Sequence, residues 1–186
     1  MMRRAFVVMF AMFSLAAPAF AATIEGIEFP DTLTANGQDL IFNGGGYRSS
    51  FGWQVYVASL YLEQKSGDAT GIVAADKPMD IKLQITSVMV SPNEMKKAIL
   101  EAFEKSTNGN MAPLKAKIDA FVEIFKELRN HDTYDFAYIP GKGVEVSRNG
   151  AVSSLIEGLD FKEALYGIWL GDKPVQQELK TGMLGK

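Results

Sequence analysis

Cysteine is absent from the 186 residues and histidine occurs once. Without a thiol there is no disulfide, no thiolate metal centre, no lipid-attachment cysteine and no cysteine nucleophile. The one histidine, His131, lies in a charged stretch and is expected to be solvated. Alone it assembles neither a Ser-His-Asp triad nor a zinc site, so no metal and no cofactor is expected. There is no Gly-x-Ser-x-Gly elbow. The glycines of Asn43-Gly-Gly-Gly46 are not followed by the Gly-Lys-Ser/Thr of a phosphate loop. Basic runs are missing too: 19 Lys and Arg face 22 Asp and Glu, for a formal charge of -3. That balance leaves no electrostatic footprint for nucleic acid or anionic lipid headgroups. Internal repeats, low-complexity tracts and linkers are also lacking.

One long apolar run does occur, Ala5 to Ala17, preceded by Arg3-Arg4 and followed by the small-x-small site Ala19-Phe20-Ala21. This is the pattern of a Sec-type signal peptide over residues 1–21, cleaved after Ala21, and it implies a periplasmic or secreted protein. The run is short for a bilayer span and has no stop-transfer flank, so no stable membrane insertion is expected after cleavage. Losing Arg3 and Arg4 moves the formal charge from -3 to -5. Residues 22–186 then form one domain, long enough to bury an adequate core.

The most informative stretch runs from Asn43 to Leu62. Three glycines, Gly44 to Gly46, read as a turn through positive φ. Arg48 follows at once. From Trp53 to Leu62 the chain is apolar on both faces, broken only by Gln54 and Ser59, which predicts a strand covered on both sides. Arg48 therefore stands at the mouth of a buried strand, where a guanidinium needs an anionic or carbonyl partner.

Other elements are read from period and punctuation. Ile24 to Phe29 predicts an edge strand ended by Pro30, and Asp39 to Phe42 a short strand. Ala69 to Ala75 predicts a short helix and Met79 to Ile85 a strand. Ser91-Pro-Asn-Glu94 carries a serine cap, a proline at the first helical position and the glutamate of a capping box. That helix should run to about Phe103, and a second from about Ala112 to Leu128. Thr133 to Tyr138, Gly143 to Arg148 and Val152 to Ile156 predict strands, with Asn149-Gly150 as a type I′ hairpin turn. Asp160 to Trp169 and Pro174 to Leu179 predict closing helices, and Trp53 and Trp169 read as core anchors. Strands, then helices, then strands and helices again give an α+β fold with a largely antiparallel sheet.

Gly44-Gly-Gly-Tyr-Arg48 leading into Val55-Tyr-Val-Ala-Ser-Leu-Tyr-Leu-Glu63 resembles the arginine-bearing segment of the chalcone isomerase superfamily. Ile139-Pro-Gly-Lys-Gly143, Asn149-Gly150, Asp160-Phe161 and Ile168-Trp-Leu-Gly-Asp-Lys-Pro174 look like its bacterial, exported branch. The resemblance runs from about Ile24 to the C-terminus. It implies an open-faced β-sandwich, a large curved sheet with helices on one face and a ligand cleft between them. In the plant isomerases the matching arginine holds the attacking oxyanion of the chalcone, with hydroxyl and amide side chains beside it. Here Tyr56 stands where those enzymes have a threonine. Glu94 and Glu101 lie where they have a tyrosine and an asparagine, and Ile168 where they have a threonine or serine. The resemblance thus implies a non-catalytic binder of a small apolar or phenolic anion, such as a fatty acid. Arg48 would grip the head group, Tyr47 and Tyr56 would assist, and Phe51, Met95, Ile99, Phe103 and Phe121 would line the apolar part. The alternatives are an intramolecular lyase acting on a phenolic enone through Arg48 and Tyr56, and a structural or partner-binding protein.

Overall fold

A computed structural model describes residues 20–50 and 52–186. The expected signal peptide, apart from its last two residues, and Phe51 lie outside the described residues. Seven strands form one antiparallel sheet in chain order: β3 (Thr32–Ala35), β4 (Gln38–Ser50), β5 (Trp53–Leu62), β6 (Met79–Ile85), β7 (Thr133–Ile139), β8 (Gly143–Arg148) and β9 (Ala151–Glu157). A separate hairpin pairs β1 (Phe20–Ile24) with β2 (Ile27–Pro30). The short helix α1 (Ala69–Ala74) links β5 to β6. Helices α2 (Pro92–Ser106) and α3 (Lys115–Glu123) link β6 to β7, and α4 (Leu159–Leu170) and α5 (Gln177–Met183) follow β9.

One face of the sheet carries the helices. Tyr56, Ala58, Leu60, Ile81, Leu83, Tyr134, Phe136 and Val146 point to it, in register across β5 to β8. Met95, Ile99 and Phe103 of α2, Ile118 and Phe121 of α3 and Phe161 and Leu165 of α4 close over them. The centre is aromatic, with Phe121 set edge-on to Phe103 at 5.8 Å and to Phe125 at 5.2 Å. Edge-on contact brings a positive ring edge to a negative face, which stabilises such a cluster beyond its buried area.

The other face of β5 is buried as well, as its composition predicts: Val57, Ser59 and Tyr61 are fully buried. Here the β1–β2 hairpin contributes cover. The Tyr61 hydroxyl donates to the Pro30 carbonyl at 3.1 Å, and Phe42 packs edge-on to Tyr61.

Several expectations change. The strand expected over Ile24 to Phe29 is a tight hairpin, because Glu25 and Gly26 take φ of 50° and 78° and reverse the chain. The strand expected over Asp39 to Phe42 runs on to Ser50, with no turn at the glycines. A second Asn-Gly turn, Asn36-Gly37, joins β3 to β4. Beyond Glu123 the helix expected to reach Leu128 tightens into turns bonded three residues back, and at its start Pro113 sits in a 3-10 turn, Ala112–Leu114. Trp53 is not a core anchor; it lies at the hairpin tip, 63% exposed. Trp169 is one, stacked on Phe136.

The capping box forms as expected: the Glu94 N–H donates to the Ser91 hydroxyl, and the Ser91 N–H to the Glu94 carboxylate at 2.8 Å. The Asn149-Gly150 turn forms too, with φ of 52° and 79°. Asn149 is further held by the Thr133 N–H and by Asp132. Gly150 faces open space, so a side chain there meets backbone strain and no clash. Gly150→Val is expected to cost about 1–3 kcal/mol, read as a lower denaturation midpoint. An unchanged midpoint would show that the turn tolerates a β-branched residue.

Candidate functional site

Gly44, Gly45 and Gly46 are strand residues, chosen for close approach and not for positive φ. A Cβ on Gly44 would lie 2.2 Å from the Gly182 carbonyl oxygen, and one on Gly45 2.6 Å from a methyl of Ile24. Alternate glycines thus admit α5 on one face of β4 and the β1–β2 hairpin on the other. On the α5 side Gly182 reciprocates, since its own Cβ would lie 2.5 Å from the Gly45 carbonyl. This contact fixes where α5 starts, three residues later than Pro174 suggests, with Gln176 as its N-cap.

That placement brings Gln176 to Arg48. Its side-chain oxygen accepts from the Ser49 N–H at 3.0 Å and from Arg48 Nη1 at 3.1 Å. Nη1 also donates to the Ser49 carbonyl. Among the described residues no carboxylate pairs with Arg48, and Nη1 is the one guanidinium nitrogen with a protein acceptor. The side chain is half-buried, on the helix face of the sheet, directly opposite Tyr56.

Tyr56 is buried, and its hydroxyl accepts from Trp169 Nε1 at 3.0 Å. Burial pushes the phenol up to about 12, against the opposing pull of the Trp169 N–H and the Arg48 charge. It therefore carries its proton at neutral pH, and among the described residues no acceptor takes that proton. Cross-strand partners on one face lie about 5 Å apart at Cβ. A guanidinium with Nε and Nη2 unengaged among the described residues and a phenol without an acceptor thus stand side by side. They suit an anionic or carbonyl oxygen.

The remaining expected positions are placed as follows. Tyr47 is 43% exposed and pairs with Val57 toward the opposite face, so it does not join Arg48 and Tyr56. Met95, Ile99, Phe103 and Phe121 lie in the closed core. The first three follow one another along the inner face of α2, from its first turn inward. Ile168 is buried without a polar group to offer. Glu94 is committed to its cap, and Glu101 is exposed and pairs with Lys97. Residue-by-residue reading missed Gln176 and the bond from Trp169. Nothing in the sequence announces the first, whereas an indole N–H buried in a core anchor usually takes an acceptor.

Two surface pockets lie elsewhere. One of about 590 Å³ sits among α1, the end of α2 and α4, lined by Val73, Asn108, Ala164 and Gly167. Another of about 320 Å³ lies between α2 and α3, against Leu100 and Val122. Arg48 lines neither.

A curled seven-stranded antiparallel sheet with its helices stacked on one face is an open-faced β-sandwich. The chain belongs to the chalcone isomerase-like family, whose model matches residues 21–185. Among solved structures it is similar to a fatty-acid binding protein of Arabidopsis thaliana, with a TM-score of 0.67 at 17% identity, over 86% of this chain and 92% of that one. No curated protein matches it.

Proposed function

We propose that the chain is an exported, non-catalytic binder of a small apolar anion of the fatty-acid kind, with its head group at Arg48. The observation that carries this is the pairing of the Tyr56 hydroxyl, whose proton has no acceptor among the described residues, with the unengaged Nε and Nη2 of Arg48 on one face of the sheet. The fatty-acid binding protein that shares the fold supports it. The tail would run inward past Met95, Ile99 and Phe103. Eight residues of helix separate Met95 from Phe103, about 12 Å at 1.5 Å per residue. Because these side chains are packed, the tail enters only if α2 lifts from the sheet. The basic, apolar, small-x-small N-terminus supports export.

A long-chain fatty acid should bind the purified mature chain, and Arg48→Ala should weaken it roughly tenfold to a hundredfold. That is the loss of one charge-assisted contact, about 1.5–3 kcal/mol. Arg48→Lys should recover only part, since an ammonium makes no planar two-point contact. Unchanged melting without ligand, and unchanged binding of an uncharged analogue, separate lost binding from lost folding. Equal binding by Arg48→Ala and the parent sinks the assignment. Arg48-dependent turnover of a hydroxylated chalcone would instead make the chain an isomerase.

A further inference from the structure

Around Arg48 the surface has a composition unlike the rest of the chain. From Leu40 to Leu62 the only charged residue is Arg48, and from Leu83 to Asn93 there is none, in a chain of which 22% is charged. These two segments meet at one end of the sheet. Ser50 and Trp53 close the β4–β5 hairpin, Ile85 pairs with Tyr56, and the Thr86 N–H donates to the Val55 carbonyl at 3.0 Å. The loop from β6 to α2 thus leaves the sheet beside the hairpin tip. At this end stand Val88, 80% exposed, Trp53, 63%, and Met89, 61%, with Tyr47, 43%, three residues back from Ser50 on β4. They are four of the six large apolar side chains that are exposed among the described residues.

We propose that this end of the molecule docks on the surface of a lipid bilayer, with Val88 and Met89 in the acyl boundary and Trp53 and Tyr47 at headgroup level. Indole and phenol rings favour that interface because each has an apolar body and a polar edge. The chain is acidic overall, yet no carboxylate lies within either tip segment; the charges flanking them are Arg48 and Glu94, whose carboxylate is held by Ser91 at the start of α2. A second copy of the chain fits less well. Two loop tips expose on the order of a few hundred Å² of apolar surface, whereas a stable interface buries about 800 Å² per partner. Apolar insertion flanked by one cation and one carboxylate, with no net charge between them, also makes the contact nearly indifferent to salt. This surface goes beyond the reading of Arg48 as a ligand site and does not depend on it.

The test is flotation of the mature chain with phosphatidylcholine vesicles, together with quenching of tryptophan fluorescence by brominated acyl chains. The parent should co-float at low and high salt, with quenching that is lost in Trp53→Ala because Trp169 is buried. Val88→Asp with Met89→Asp should lower partitioning about tenfold or more. These side chains are exposed, so melting should be unchanged. Val152→Asp, equally exposed but on the far edge strand β9, is the matched control and should float like the parent. Failure of the parent to float overturns the proposal. So does an equal loss in Val152→Asp, or a dimer in sedimentation that the tip substitutions dissolve without any vesicle binding.

Discussion

Gly44→Ala should force helix α5 off the sheet while adding a single methyl group. The added carbon would sit 2.2 Å from the Gly182 oxygen, and 2.9 Å from both the Gly185 nitrogen and the Met183 oxygen. All three are backbone atoms, so no side-chain rotation relieves the contact, and α5 has to move off β4. Leu179 and Met183 then leave the core, and Asn43 loses its bond to the Met183 carbonyl. The expected cost is about 3 kcal/mol or more, at the upper end for overpacking. Gly46→Ala is the internal comparison. Its methyl would meet a Leu179 methyl at 3.2 Å, a soft contact that can yield by a few tenths of an ångström. Thermal melting should therefore rank Gly44→Ala well below Gly46→Ala. Fatty-acid binding should fall with Gly44→Ala as well, because Gln176 travels with α5 and no longer orients Arg48. If the Gly44→Ala chain melts like the parent, the glycines do not serve helix docking.

The same glycines show where reading the residues stops. A glycine that supplies positive φ and one that lets backbones approach look identical in sequence. Asn149-Gly150 is legible because the asparagine beside it is chosen for the turn, whereas Gly44 to Gly46 have no such companion. Gly182 has no such companion either: it lies inside α5, which runs past the expected end at Leu179, and is the docking point on β4. The apolar faces of β5 state that both are covered, but not that a hairpin folded back from Phe20–Pro30 helps to cover one of them. Arg48 and Tyr56 are legible as neighbours because strand pairing puts them there. Gln176 is not, because its place follows from the packing of α5.

Asp80 should contribute a loss of stability as pH rises, through the range where most acidic residues contribute a gain. This carboxyl is 1% exposed on the hairpin side of β6, and among the described residues its Oδ1 has no hydrogen-bond partner. Burial, reinforced by the charge of Asp135, raises it from 3.8 to about 8, while Lys82 and an N–H of Phe136 pull the other way. Lys82 is already paired with Asp135 at 2.6 Å, which limits what it can do for Asp80. The other titrating groups that feel Asp80 are Tyr61 and Tyr166, both protonated throughout this range. A carboxyl raised on folding binds its proton in the native state and releases it in the unfolded one. Its penalty is absent below about pH 4, grows as pH rises, and levels off above about pH 8. By pH 7, well above the carboxyl's ordinary range, most of that penalty is in force. Asp132 and Asp160, lowered by their partners, contribute the opposite slope at the acid end, so the parent's profile alone mixes the two. Asp80→Asn separates them, because the amide keeps the size and does not ionise. The stability difference between variant and parent, from urea unfolding, should be small near pH 4 and increasingly favour the variant up to about pH 8. A difference that stays flat across that range would mean Asp80 is ionised in the native protein.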